Sequence, residues 1–156
     1  MVSNLSFGSD EDSTALREAV AQAIRRGVVL VAAAGNQRRA GVDVPARYDD
    51  VLAATATTRQ DRVVGYAARG PEVDLAAPGF DTLSTGRGDT YRRLAGTSMA
   101  VPHVSGTAAL LFSRHPRWSA DEVMAHMAAT AERLPQVERQ AQGAGLVRAD
   151  WALRET

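Results

Sequence analysis

The chain has 156 residues, 45% of them hydrophobic, and its 18 cationic and 18 acidic side chains cancel to a net charge of zero. That length suits about one domain with a real core, and the balanced charge excludes the basic footprint of a nucleic-acid-binding domain. The absence of cysteine excludes disulfides and thiolate metal sites, and no apolar run approaches the length of a membrane span.

The opening VSNLSF reads as a short strand. The first residues, MVSNLSFGSDEDS, have neither a basic n-region nor an apolar h-region and do not read as a signal peptide. SDEDSTALREAVAQAIRRG predicts an amphipathic helix, with Leu16, Val20, Ala23 and Ile24 at helical spacing. Asp10 to Asp12 suit the positive end of its dipole, Arg25 and Arg26 the other end, and Gly27 stops it. VVLVAAAG is a continuous apolar run between glycines, as expected of a parallel strand buried on both faces. VLAATATT repeats that character, and VDLAAPG reads as another strand ended by Pro78 and Gly79. DTLSTGRGDTYRRLAG has the turn chemistry of a hairpin. From Thr97 to His115 the residues are apolar or small almost all round, which predicts a core helix, with Pro102 tolerated near its first turn. SADEVMAHMAATAERL predicts a third helix with a capping box at Ser119 and Glu122 and an inner stripe of Val123, Met127, Ala131 and Leu134. The alternation of strands and helices indicates an α/β fold with a mainly parallel sheet.

Ser98 stands at a predicted helix N-terminus, where backbone N–H groups carry partial positive charge. A lone serine there is ordinarily an N-cap. Its surroundings point elsewhere, because GTSMAVPHVSG, Gly96 to Gly106, resembles the serine motif of the subtilisin-like serine proteases without a break. VVLVAAAGN is similar to the family segment that ends in the oxyanion-hole asparagine, which implies that role for Asn36. SNLSFG resembles the strand that pairs with substrate, with Ser6, Phe7 and Gly8 at one wall of the S1 pocket, while Ala33, Ala34 and Gly35 match the opposite wall. Thr97, beside the nucleophile, is placed with the substrate-binding residues. VPARYDDVLAATAT, GPEVDLAAPG, HPRWSADEV and GAGLVRADWAL resemble later family segments, so the likeness covers nearly the whole chain.

The resemblance implies a partial subtilisin-like fold with a mainly parallel sheet flanked by helices and a C-terminal hairpin and helices. In the family the triad runs Asp, His, Ser along the chain. Neither an Asp-Ser/Thr-Gly nor a His-Gly-Thr motif occurs here. The chain therefore resembles the C-terminal part of the catalytic domain, residues 1–156, with the nucleophile and oxyanion hole but without the base and its acid. Among the three histidines, His103 matches a structural core histidine of the family, His115 is expected to be exposed at a helix end, and His126 lies within a helix. None is expected to reach Ser98.

Three finer expectations follow from the resemblance. Asp43 aligns with the base of the S1 pocket, where a carboxylate would favour Arg or Lys at P1; the other reading is a surface-loop aspartate. The carbonyls of Ala46, Tyr48 and Val51 match a weak cation site, Ca²⁺ or monovalent, in some members; the other reading is an empty loop. Val44–Pro45 is a candidate cis bond. No cofactor is required for the chemistry. The expected substrate is a peptide or protein, with a complementary chain carrying Asp and His as a further partner; the complete protein would be secreted if it follows the family. The alternatives are a non-catalytic peptide-binding module, in which strand Ser3 to Phe7 adds an extended peptide, and a truncated fragment without function.

Overall fold

The computed structural model describes residues 1–154. Four parallel strands, β1 (Val2–Leu5), β2 (Val29–Ala33), β3 (Val51–Thr57) and β4 (Val73–Pro78), pair in the order β1-β2-β3-β4. Every residue of β2 and β3 is buried, as continuous apolar runs require when helices cover both faces. Alternation along β2 and β3 divides the core, and the irregular register at the start of β4 sends Val73 and Leu75 to opposite faces. Val29, Val31, Ala33, Leu52, Ala54, Leu75 and Ala77 face one cluster. Leu30, Ala32, Ala34, Val51, Ala53 and Val73 face the other.

Helix α1 (Thr14–Arg25) lies on the second face through Leu16, Val20, Ala23 and Ile24. Its N-cap is Ser13, whose hydroxyl accepts the Leu16 N–H at 3.2 Å, and no acid occupies the first turn. Asp10 to Asp12 therefore precede the helix rather than charging its end. Asp12 instead accepts from Arg17 and from the Tyr48 hydroxyl, and the Arg17 guanidinium lies 4.6 Å from the centre of the Tyr48 ring. Gly27 follows with φ +72°, a left-handed stop.

After β4 comes the hairpin of β5 (Thr82–Thr85) and β6 (Tyr91–Leu94), and then helix α2 (Thr97–Arg114). Val101, Val104, Ala108 and Leu111 bury α2 against the first face of the sheet. The expectation of burial all round is corrected on the opposite side. Pro102, His103, Gly106, Ala109 and Leu110 are exposed, Leu110 at 49%. Their spacing makes one stripe along the helix, and nothing among the described residues covers it.

Helix α3 (Ala120–Ala129) has the expected capping box. The Ser119 hydroxyl accepts the Glu122 N–H, and the Glu122 carboxylate accepts the Ser119 N–H. The helix ends at Ala129, before Ala131 and Leu134 of the predicted stripe. Thr130 caps it by donating its hydroxyl to His126 O at 2.8 Å, and Glu132 then exchanges two backbone hydrogen bonds with Leu146. Leu146 and Val147 continue onto the β4 edge through the Ala76 bridge. Short helices α4 (Arg139–Gln142) and α5 (Ala149–Arg154) complete the fold. With β4 covered in this way, β1 is the unpaired edge of the parallel sheet among the described residues.

Candidate active site

The site forms where parallel strand ends meet a helix N-terminus. Ser98 is the second residue of α2, half-buried, and its hydroxyl has no hydrogen-bond partner among the described residues. Its backbone N–H belongs to the first turn, where helical donors lack intrahelical acceptors. The chain beyond β1 runs alongside it, and the Ser6 hydroxyl donates to Ser98 O at 2.8 Å. Ser6 also accepts from Asn4 Nδ2 at 2.8 Å, while Asn4 Oδ1 accepts from the Ser105 hydroxyl at 3.3 Å. This relay ties β1 and the residues after it to α2 at Ser98 and again further along the helix at Ser105.

Asn36 lies just past β2. Its Oδ1 accepts the Thr97 N–H at 3.0 Å and the Thr97 hydroxyl at 3.2 Å. Because Thr97 N–H can only donate, the amide orientation is determined: a flipped Asn36 would set donor against donor. The Nδ2 group is left free to donate. The Thr97 hydroxyl in turn accepts the Gly35 N–H at 3.1 Å. Thr97 is fully buried, and its side chain is spent on hydrogen bonds with Asn36 and Gly35. Gly96 has φ +149°, and a Cβ there would stand 3.4 Å from Asn36 Nδ2. Glycine keeps that approach open.

The segments Ser6–Gly8 and Ala33–Gly35 leave two neighbouring strands, paired through Leu5 and Ala32. Phe7 and Gly8 are exposed, whereas the side chains of Ala33 and Ala34 are buried in opposite cores; only the backbone of that second segment can line a cleft. Asp43 lies against both segments. Its N–H donates to Ala34 O at 2.9 Å, and the adjacent Val44 exchanges two hydrogen bonds with Ser9, at 3.0 and 2.8 Å. A Cβ on Gly8 would stand 2.8 Å from Asp43 Cβ, and one on Gly35 would stand 2.6 Å from Asp43 Oδ2. The carboxylate thus lies between the two glycines. Burial, and after it the like charge of Asp10, hold its carboxyl above the usual carboxylate range, against an opposing effect of Arg47.

None of the histidines joins this group. His103 is exposed on the open stripe of α2, with Nδ1 3.0 Å from Met99 O, so the expected core histidine has no core around it. His115, half-buried rather than exposed, stacks on Trp118 with ring centres 4.1 Å apart. His126 sets Nε2 2.8 Å from Ala152 O. Val44–Pro45 is cis. In the turn after it, Tyr48 O already accepts the Val51 N–H at 3.3 Å. No group of three His, Asp or Glu side chains able to hold a metal occurs among the described residues. A cation near Ala46, Tyr48 and Val51 would have backbone oxygens alone, and no chemical step is routed through it.

Sequence reasoning missed the Ser105–Asn4–Ser6 relay, whose members are ordinary polar residues of a strand and a helix; only the long-range pairing identifies them.

Residues 1–145 match the Subtilase family, Peptidase S8. Subtilisin BL and Subtilisin Savinase, both from Lederbergia lenta, are each 41% identical over 153 residues, 98% of this chain and 56% of theirs. Subtilisin DY of Bacillus licheniformis is 42% identical over 137 residues, 85% of this chain and 50% of its own. The solved structure of the prenylagaramide maturation protease PagA matches with a TM-score of 0.87 at 29% identity, over 98% of this chain and 61% of that one. The chain spans 50–56% of the length of these three subtilisins.

Proposed function

Because the chain belongs to the subtilase family, we propose that it carries the nucleophile and oxyanion hole of a serine endopeptidase, with Ser98 as nucleophile. The Ser98 hydroxyl attacks the scissile carbonyl. The negative charge then falls on the carbonyl oxygen, within reach of Asn36 Nδ2 and the first-turn N–H groups of α2. Collapse expels the amine, which takes from the general base the proton that Ser98 gave up, and leaves a Ser98 ester, which water hydrolyses. The observation that carries this reading is the Asn36 amide, pinned through Oδ1 by Thr97 so that Nδ2 alone is free to donate.

A base must lie within hydrogen-bond reach of the hydroxyl it activates, and the three histidines are engaged elsewhere. The base and its orienting acid belong, in this reading, to a further polypeptide segment bearing His and Asp. The unpaired edge of β1 and the uncovered stripe Pro102, His103, Gly106, Ala109 and Leu110 support such a partner. One is a parallel-strand edge and the other an exposed, largely apolar face of the helix that carries Ser98. The chain by itself is then inactive.

The test is labelling by a fluorophosphonate, which requires an activated serine, followed by mass analysis for an adduct on Ser98. An adduct formed in the presence of the complementing segment and absent from Ser98→Ala is expected. An adduct on the isolated chain would place the base within it. No adduct under either condition would sink the assignment of Ser98. The unpaired β1 edge also favours a second reading, a module that adds an extended peptide as a strand; peptide binding without hydrolysis in the complemented preparation distinguishes it.

A further inference from the structure

A cavity of about 560 Å³ lies between the loop after β3 and the segment that joins α3 to α4, and none of its lining residues belongs to the Ser98 site. That volume suits a small molecule. One wall is preformed. The fully buried Gln142 accepts the Leu134 N–H at 2.7 Å through Oε1 and donates Nε2 to Leu134 O at 3.0 Å and to Val137 O at 2.6 Å. The other wall is a turn in which the Thr58 N–H donates to Arg62 O at 2.9 Å. The Gly70 N–H donates to Gln140 O at 3.0 Å and fixes the backbone beside Arg69 to α4.

Arg69 lines this cavity and is under-satisfied. Its Nε is buried without a hydrogen-bond partner, and its guanidinium makes no ion pair among the described residues. The acids around the cavity do not serve it. Glu132 is paired with Arg148, Nη1 to Oε2 at 2.5 Å, and Asp61 and Glu138 are exposed and make no ion pair. A guanidinium that has lost water at one nitrogen and gained no acceptor is unfavourable. A carboxylate across its fork would supply the missing acceptors. Val63, Leu134, Pro135 and Val137 give the cavity an apolar side, and Asp61 and Glu138 would repel a second negative charge. We infer that this cavity binds a singly charged organic carboxylate with an apolar body, anchored on Arg69. The site goes beyond the peptidase reading and does not rest on it.

The probes are N-acetyl-leucine, its neutral amide and isocaproate, titrated into the full isotope-labelled chain. Binding is followed by NMR on the Arg69 Nε–H and on the backbone amides of Leu134 and Val137. N-acetyl-leucine is expected to bind roughly ten- to hundredfold more tightly than its amide, the range for a hydrogen bond to a charged group. Isocaproate keeps the carboxylate and the apolar body but lacks the peptide group. Affinity equal to that of N-acetyl-leucine identifies the ligand as a free organic acid, and weaker binding identifies it as a peptide C-terminus; either result supports the site. Arg69→Gln should erase the preference for acid over amide, and Arg69→Lys, which keeps the charge without the fork, should lose most of it. Equal affinity for acid and amide, binding of neither, or binding that leaves Leu134 and Val137 unmoved overturns the inference on the unaltered chain, whatever the variants do. A preference that survives in Arg69→Gln overturns it as well, by assigning the carboxylate to another group. Inorganic phosphate binding more tightly than both acids would overturn the assignment to a single charge.

Discussion

Asn36 and Thr97, 61 residues apart, are joined by two hydrogen bonds to one oxygen, from the Thr97 N–H at 3.0 Å and its hydroxyl at 3.2 Å. The amide direction at the site therefore depends on a buried threonine. Thr97→Val removes one of these bonds and leaves the Gly35 N–H without its acceptor. In a complemented, labelling preparation, Thr97→Val should slow acylation about tenfold, through a looser amide. Asn36→Ala should slow it by about 10²–10³-fold, which is the loss known for the oxyanion-hole amide of a subtilisin rather than a value this geometry yields. Peptide binding should change little in either variant. Equal acylation rates in wild type and Asn36→Ala would exclude Asn36 from the oxyanion hole.

Asp74 accepts the Ala53 N–H at 2.8 Å beside the irregular register of β3 and β4, and burial raises its carboxyl from 3.8 to about 6. The folded chain thus holds this proton more tightly than the unfolded chain. Its contribution to stability is fully present below pH 3.8 and is lost as pH rises through about 6. The loss is about 3 kcal/mol at most, at 1.36 kcal/mol per unit. Asp74→Asn keeps an acceptor for Ala53 and cannot ionise, so it should match wild type near pH 3.5 and exceed it by up to that amount above pH 7. Urea unfolding of both proteins at the two pH values measures the difference; parallel pH dependence would show that Asp74 is not the titrating group.

Two left-handed glycines predict unequal costs. Gly27 has φ +72° and open space around it, so Gly27→Ala should cost about 1 kcal/mol, the backbone term alone. Gly143 has φ +64°, and a Cβ there would stand 2.1 Å from Asp74 O. Backbone must move to admit it, and Ala144 N donates to that same carbonyl at 2.7 Å. Gly143→Ala should cost at least about 3 kcal/mol or prevent folding. Thermal unfolding of the pair would refute this local geometry if the two variants melted together.

Leu110 is 49% exposed on the uncovered stripe of α2. Leu110→Glu should leave the unfolding free energy of the chain within about 0.5 kcal/mol of wild type, as surface substitutions do. It should nevertheless abolish complementation of Ser98 labelling, because a charge would face apolar surface. Unimpaired complementation would place the partner elsewhere.

Much of this was legible in the chain itself. The apolar runs 29–35 and 51–57 predicted strands buried on both faces, and alternation sorted their side chains into two cores. The capping box at Ser119 and Glu122 is local chemistry and formed as expected. The end of α3 was not legible, because the bonds between Glu132 and Leu146 that draw the chain away are long-range.

The site divides along the same line. GTSMAVPHVSG and VVLVAAAGN are contiguous, so residue order alone was enough to single out Ser98 and Asn36 as candidates, and the chain holds no Asp-Ser/Thr-Gly or His-Gly-Thr motif. Only the tertiary structure joined Thr97 to Asn36 and Ser6 to Ser98, placed Asp43 between Gly8 and Gly35, and left one face of α2 and one edge of β1 uncovered. The physical reason is range. Capping and periodicity are fixed within a few residues, whereas the direction of an amide or the partner of a carboxylate depends on strand ends brought together from distant parts of the chain.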